Sequence, residues 1–328
     1  MNQTMKLTFV NVGYGEAMIL ECPDPRYRGG NFVMVIDGGS AEPGEFEDSV
    51  SGRLPFSEYL RTYGPDHIDL MICTHIHEDH LCGLLPAAEL NTPSAFWQTL
   101  SSDFYASMPP LDGRPVKTAS QDKFLRALRD YRSLCHSLAA HGTVLRTLRA
   151  GEIISLCEGL TCRVLAPTAL RTDELQRDLR SLLDEQADDA FVEKLTALDA
   201  RMNNYSLMLM LEYRGTRILL PGDTNCRGYH DTDRGQLGAH LFKMGHHGQK
   251  DSITPELLEA IHPQGAVCCA SSDSRYNSAH PDVIALFEQR GTEVYFSDCP
   301  TPNGLKLPTH HALTFTIEGD GRFSARYI

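Results

Sequence analysis

The chain has 328 residues, 41% of them hydrophobic, which is ample for a sizeable core in a single large domain. Its formal net charge of −13 disfavours a broad electrostatic grip on nucleic acid, because such binding rests on Lys and Arg neutralising phosphates, and leaves only a locally basic cleft compatible with it. No run approaches the roughly 20 apolar residues of a membrane helix, and the N-terminus lacks a charged segment followed by an apolar one, so the expectation is a cytoplasmic protein without membrane contact. Ten cysteines are sparse at this length, and several, such as Cys73, Cys268 and Cys269, sit inside apolar strand patterns, which predicts reduced thiols rather than a disulfide framework.

In chain order, residues 6 to 22 read as two β-rich runs around the turn Gly13-Tyr14-Gly15, a hairpin rather than a dinucleotide loop, since no helix follows. A third strand at 32–36 ends at Asp37-Gly38-Gly39, and a helix is predicted over 55–63. The apolar run 68–73 delivers Thr74-His75-Ile76-His77-Glu78-Asp79-His80 to a strand end. Residues 120 to 141 carry one apolar stripe at helical spacing, the mark of a packing helix. Residues 172 to 199 hold nine acidic and three basic side chains between leucines, a pattern of a solvated helical insertion or lid rather than a metal site. Strands follow at 205–213, 216–220, 241–244 and 266–270, then a helix over 281–290, a strand at 293–296 and a hairpin over 312–328 around Gly319-Asp320-Gly321. The alternation predicts an α/β layered fold whose chemistry lies just past the strand ends.

Four residues of types that bind divalent ions fall within six positions, at His75, His77, Asp79 and His80. A tight loop turns alternate side chains to different faces of a site, so one ion would take His75 and His77 and another Asp79 and His80. Two such ions share a hydroxide nucleophile and clamp the attacked ester. Later strands also end in ligand types, at Asp223 and at His246-His247 before Gly248. No protein nucleophile is indicated: Ser271 and Ser272 lack a Gly-x-Ser-x-Gly elbow.

Residues 74 to 80 resemble the His-x-His-x-Asp-His signature of the metallo-β-lactamase superfamily, with Asp37 as its preceding strand-end aspartate. Within it the chain most resembles the ComEC-like hydrolase domain and its free-standing relatives, through Phe9 to Ala17, Asn204-Tyr205-Ser206-Leu207, Leu241 to Gly248 and Ala279-His280-Pro281. The resemblance implies a four-layer αββα fold spanning residues 1–328 as one domain, with a helical or lid insertion at about 96–200. It implies metal ligands His75, His77, Asp79, His80, Asp223 and His246, with Asp223 bridging, Asp37 orienting a ligand histidine, and His247 competing with His246. A superfamily histidine expected about twenty residues before the bridging aspartate is replaced by Asn203-Asn204, so Asn204 is a candidate for substrate contact. His280, on a loop at a helix start, is a candidate for contacting a phosphate or protonating a leaving group. Lys243, inside an apolar run, is expected to partner a carboxylate.

These readings converge on a hydrolase with two divalent ions, zinc first and manganese or iron compatible, in which Asp79 and Asp223 position the nucleophile and a phosphodiester or other small phosphoester is cleaved. The rivals are a carboxylic ester, thioester or lactam hydrolase on the same fold, and a metal-binding regulatory protein without turnover.

Overall fold

The computed structural model describes residues 4–48, 50–298 and 307–328. Three strands, β1 (Met5–Val10), β2 (Ala17–Pro23) and β3 (Asn31–Gly38), form an antiparallel meander, and β4 (Leu70–Ile72), β5 (Ala95–Gln98) and β6 (Val144–Thr147) extend it in parallel. A second sheet holds β7 (Ile153–Cys157), β8 (Leu160–Ala166), β9 (Met208–Tyr213) and β10 (Thr216–Leu220) in antiparallel order, then β11 (Leu241–Lys243), β12 (Gly265–Cys268) and β13 (Glu293–Phe296) in parallel. The last hairpin, β14 (Ala312–Gly319) and β15 (Arg322–Tyr327), returns to pair with β1 and completes an eight-stranded sheet facing the seven-stranded one.

Side chains alternate across a strand, and here both faces are apolar because both are covered. Met18 and Leu20 of β2, with Met34 and Ile36 of β3, meet Leu209 and Leu211 of β9 and Ile218 of β10 between the sheets. Their neighbours Ile19, Val33 and Val35 point outward to a helical layer. That layer comprises α1 (Phe56–Tyr63), α2 (Glu78–Leu81), α3 (Leu84–Leu90), α4 (Ser102–Ser107), α5 (Ala119–Ala140), α6 (Ala169–Leu183) and α7 (Asp188–Met202). On the far side, α8 (Pro255–Ile261) and α9 (Pro281–Gln289) cover Met208, Leu219 and Phe242 of the second sheet. The expected αββα layering is present. No helix among the described residues is long and apolar enough to cross a membrane, and the nine described cysteines form no disulfide.

The stretch 96–200 differs from the helical insertion expected of it. It supplies β6, β7, β8 and most of β5 to the two sheets, and its helices fall in two groups, α4–α5 and α6–α7. The strands escape a reading by periodicity because β6 and β7 are short sheet-edge strands whose outer residues, such as Val144 and Ile153, face solvent. The start of α5 is fixed by a capping box in which the Thr118 side chain accepts from the Gln121 backbone and the Gln121 side chain accepts from the Thr118 backbone.

Glycines set how closely the layers approach at the rim that carries the histidine loop. A Cβ on Gly83, between α2 and α3, would lie 1.9 Å from the Gly38 carbonyl oxygen at the end of β3. This contact seats the histidine-bearing turn on the strand, and the neighbour is backbone, which cannot swing aside. Gly83→Ala is therefore expected to destabilise the protein by about 1–3 kcal/mol, the usual cost of overpacking. Urea unfolding would show it as a lowered midpoint at unchanged slope, and an unchanged midpoint would refute the tight contact.

Candidate metal centre

The functional side chains come from the same rim of both sheets: Asp37 from the end of β3, His75 to His80 after β4, Asp223 after β10 and His246-His247 after β11. A backbone bond from Leu207 N to Thr74 O, 2.9 Å, ties the two rims together. Asp37 sits at φ +56, a left-handed conformation that aspartate tolerates better than most residues, and its carboxylate is fully buried. It accepts from Thr74 N at 2.8 Å, from Thr74 Oγ1 at 2.6 Å, and from His80 Nδ1 at 2.8 Å.

These bonds decide which ring nitrogens carry protons. His80 donates through Nδ1 to Asp37, which leaves Nε2 facing inward. The Thr74 hydroxyl gives its proton to Asp37, so its oxygen accepts from His75 Nδ1 at 3.1 Å and His75 Nε2 is left bare. His77 Nε2 donates to Asp199 Oδ1 at 3.1 Å, and His247 Nδ1 donates to the Cys269 carbonyl at 2.7 Å. The free nitrogens then point at acceptors. His75 Nε2 and His77 Nδ1 are 3.1 Å apart, and His247 Nε2 lies 3.0 Å from Asp79 Oδ2 and 2.9 Å from Asp223 Oδ2. His80 Nε2 lies 3.3 Å from Asp223 Oδ2. Both His80 Nε2 and His247 Nε2 are buried without a hydrogen bond of good geometry.

Lone pairs aimed at lone pairs and at carboxylates need a positive charge between them, and His, Asp donor sets suit divalent ions. The residues therefore fit a metal centre of two halves, one at His75 and His77 and one at Asp79, His80, Asp223 and His247. Glu16 is also within the cluster, its ligand atom lying within 4.8 Å of those of His80, Asp223 and His247. Its carboxylate, however, is already in contact with the buried Lys243 amine, whose pKa burial lowers to about 7, and which also lies 3.2 Å from Asp223 Oδ1 and donates to the Gly222 carbonyl at 2.9 Å. Asp79 is thus the better placed carboxylate for a cation. Burial, then the neighbouring His80 and His77, holds the His75 imidazole well below its usual range, so it is neutral, as a ligand must be. Burial opposes a charge on His80 and His247 as well, but the carboxylates of Asp223 and Asp79 outweigh it and raise both rings.

The centre forms the floor of a cleft of about 320 Å³ between the strand rims and helix α5. Residues 26–100, which hold Asp37 and the whole histidine loop, match the Metallo-beta-lactamase superfamily. The match covers that stretch of the chain, the one that carries the candidate metal ligands of the first sheet. It is 22% identical over 302 residues to ComE operon protein 3 of Bacillus subtilis (strain 168), covering 89% of this chain and 32% of that protein, so it spans about a third of the relative's length. Among solved structures it is similar to CmlA, a diiron beta-hydroxylase from Streptomyces venezuelae, at 12% identity and a TM-score of 0.46 over 88% of this chain and 52% of that one. It is also similar to Zn(2+)-bound PqqB from Methylobacterium extorquens, at 12% identity and a TM-score of 0.41 over 89% and 97%.

Several expected positions shift. His247, not His246, occupies the convergent position. Both residues adopt left-handed torsions, at φ 45 and φ 50, between Gly245 and Gly248, and this turn buries His247 while sending His246 outward to Asp251 Oδ1 at 2.8 Å. His280 does not line the cleft; its ring caps α9 by accepting from Asp282 N, and the backbone N–H groups of Ala279 and His280 clamp the turn by donating to the carbonyls of His247 and Gly248. Asn204 packs near Gly228, away from the cleft, and its neighbour Asn203 lines the cleft instead.

Three residues at the centre are not evident from the sequence. Tyr14, read as part of a turn, packs at a tilt against His247 with ring centroids 4.4 Å apart, and burial, then Asp79 and Asp223, keep its phenol protonated far above its usual range. The turn can reach there because a Cβ on Gly15 would lie 2.3 Å from the Asp79 carbonyl oxygen, which only glycine allows. Glu16 is the buried partner of Lys243. Asp199 comes from α7, within the acidic segment read as a solvated lid, and contacts His77 directly.

Two outcomes follow. His247→Ala is expected to lose one bound ion per chain and more than about a hundredfold in activity, beyond what loss of an outer hydrogen-bond partner costs, while His246→Ala stays within a few-fold. Metal analysis of dialysed protein checks this, and the reverse pattern would restore His246 as the ligand. Because the facing carboxylates raise His80 and His247, protons compete with an incoming ion for their inward nitrogens. Metal affinity should therefore rise as pH rises through neutrality, and calorimetric titration in buffers of different ionisation enthalpy should show proton release. Buffer-independent heats would contradict it.

Proposed function

We propose that the chain is a dinuclear metal-dependent hydrolase of phosphoric esters, with phosphodiesters as the leading substrate class. The observation that carries this reading is the set of four anchored histidines whose remaining nitrogens converge with Asp79 and Asp223 on the cleft floor. The ions would be held by His75 and His77 on one side and by Asp79, His80, Asp223 and His247 on the other, zinc first by donor type, with manganese or iron compatible. When bound, such ions lower the pKa of water and offset charge on the attacked centre.

The remaining roles fall to the chain. Asp223 is buried and Asp79 partly so, yet both are ionised, because His80 and His247 hold both carboxyls below their usual range against desolvation. They are therefore hydrogen-bond acceptors able to orient an attacking water at Asp79 Oδ2 or Asp223 Oδ2. Tyr14 keeps its proton and is a hydrogen-bond donor over the same floor. Lys123 and Arg275 line the walls and favour an anionic substrate. They are outnumbered there by Glu45, Glu78, Asp79, Asp199 and Asp223, so an anion would be repelled until cations occupy the centre. That balance favours a small or locally bound phosphoester over a long polyanion, in line with the net charge of −13.

The test is turnover of bis-p-nitrophenyl phosphate by protein loaded with zinc, manganese or iron, set beside turnover of an acyl thioester. Phosphodiester cleavage abolished by chelation and restored by metal is expected. Cleavage of the thioester alone would replace this reading with acyl hydrolysis, and two bound ions with no turnover on a broad ester panel would replace it with a binding role.

A further inference from the structure

Of the four histidines, three are oriented from the sheet rims: His75 by Thr74, His80 by Asp37 and His247 by the Cys269 carbonyl. His77 is the exception. Its ring packs edge-on against Phe124 of α5 at 5.7 Å, and its Nε2 donates to Asp199 of α7. Asp199 is fixed in turn by Ser120 in the first turn of α5, whose hydroxyl donates to Asp199 Oδ2 at 2.8 Å. That serine is placed by the Thr118 capping box. The imidazole that faces His75 is therefore aimed by the helical layer and not by the sheets.

We infer that Asp199 is the positioning carboxylate of His77, so that the His75–His77 half of the metal centre is assembled only when α5 and α7 pack over the loop. By accepting the Nε2 proton, Asp199 fixes the tautomer that leaves Nδ1 bare toward His75 Nε2, 3.1 Å away. The carboxylate also makes the ring a better donor. Asp199 lies where the cleft of about 320 Å³ adjoins a second one of about 500 Å³, both of which it lines with Asn203 and His246. Orientation of His77 and the shape of the substrate cleft thus depend on the same helix. The inference rests on the metal-centre reading above, and it assigns a role to a segment outside the residues that match the superfamily.

Metal titration of the full chain tests it without reference to activity. Wild-type protein is titrated with zinc against a chromophoric chelator, and Asp199→Ala and Asp199→Asn are then compared with it. Asp199→Ala is expected to weaken one of the two ions about 10- to 100-fold and leave the other unchanged. Asp199→Asn, whose amide oxygen still accepts from Nε2, should recover most of that loss, which a direct ligand would not. Wild-type affinities for both ions in Asp199→Ala, or an Asp199→Asn protein as weak as Asp199→Ala, would overturn the positioning role. If the wild type itself binds no ion, the centre as read above fails, and that result is visible before any variant is compared. Should Asp199→Ala not fold, histidine ring ¹⁵N shifts of the zinc-loaded wild type decide alone. Protonated Nε2 with ligated Nδ1 at His77 supports the inference, and the opposite tautomer overturns it.

Discussion

The buried carboxylate of Asp37 is the constraint from which the rest of the site follows. It takes three hydrogen bonds from the loop after β4, two from Thr74 and one from His80, and so locks the end of one strand to the start of the next connection. Burial alone would raise its carboxyl pKa, and does so even against the donors around it. An unpaired carboxylate in that position would be costly, so the loop must supply those donors. Supplying them sets the tautomers of His75 and His80, and thereby aims their other nitrogens at one another's neighbours.

The second layer of control is steric. Gly15, Gly38 and Gly83 allow backbone to touch backbone at the rim, where a single methyl group would collide with a carbonyl or an amide. Gly245 does the same, since a Cβ there would lie 2.1 Å from the Thr224 carbonyl oxygen. The consecutive left-handed torsions of His246 and His247 are strained for non-glycine residues, and the backbone bonds from Ala279 and His280 hold them. Strain of this kind is retained where a side chain must be aimed. Behind the turn, Glu16, Lys243 and Asp223 form one buried polar cluster, and removal of any member would leave another without its partner.

Much of this was legible beforehand. Apolar runs located β1, β2, β3, β9 and β10, because both faces of these strands are buried and each face carries its own apolar row. Residues 74 to 80 advertised the metal centre because their ligand types are adjacent in the chain. The edge strands β6 and β7 were not legible, since half of each faces water. The acidic run at 172–199 was read as solvated because charged helices usually are, and nothing in its composition separates Asp199 from Asp173 or Asp178.

The sequence by itself determined the ligand types, their delivery at strand ends, the glycine positions and the layered fold, since all of these are local in the chain or periodic along it. Tertiary structure alone decided which of two adjacent histidines turns inward, because that choice lies in backbone torsions of 45° and 50° imposed by contacts from the 279–280 loop. It also decided that an aspartate 122 residues beyond His77 would hold its ring. Such a contact has no period and no spacing to betray it; it exists only because α7 packs across α5 above the loop.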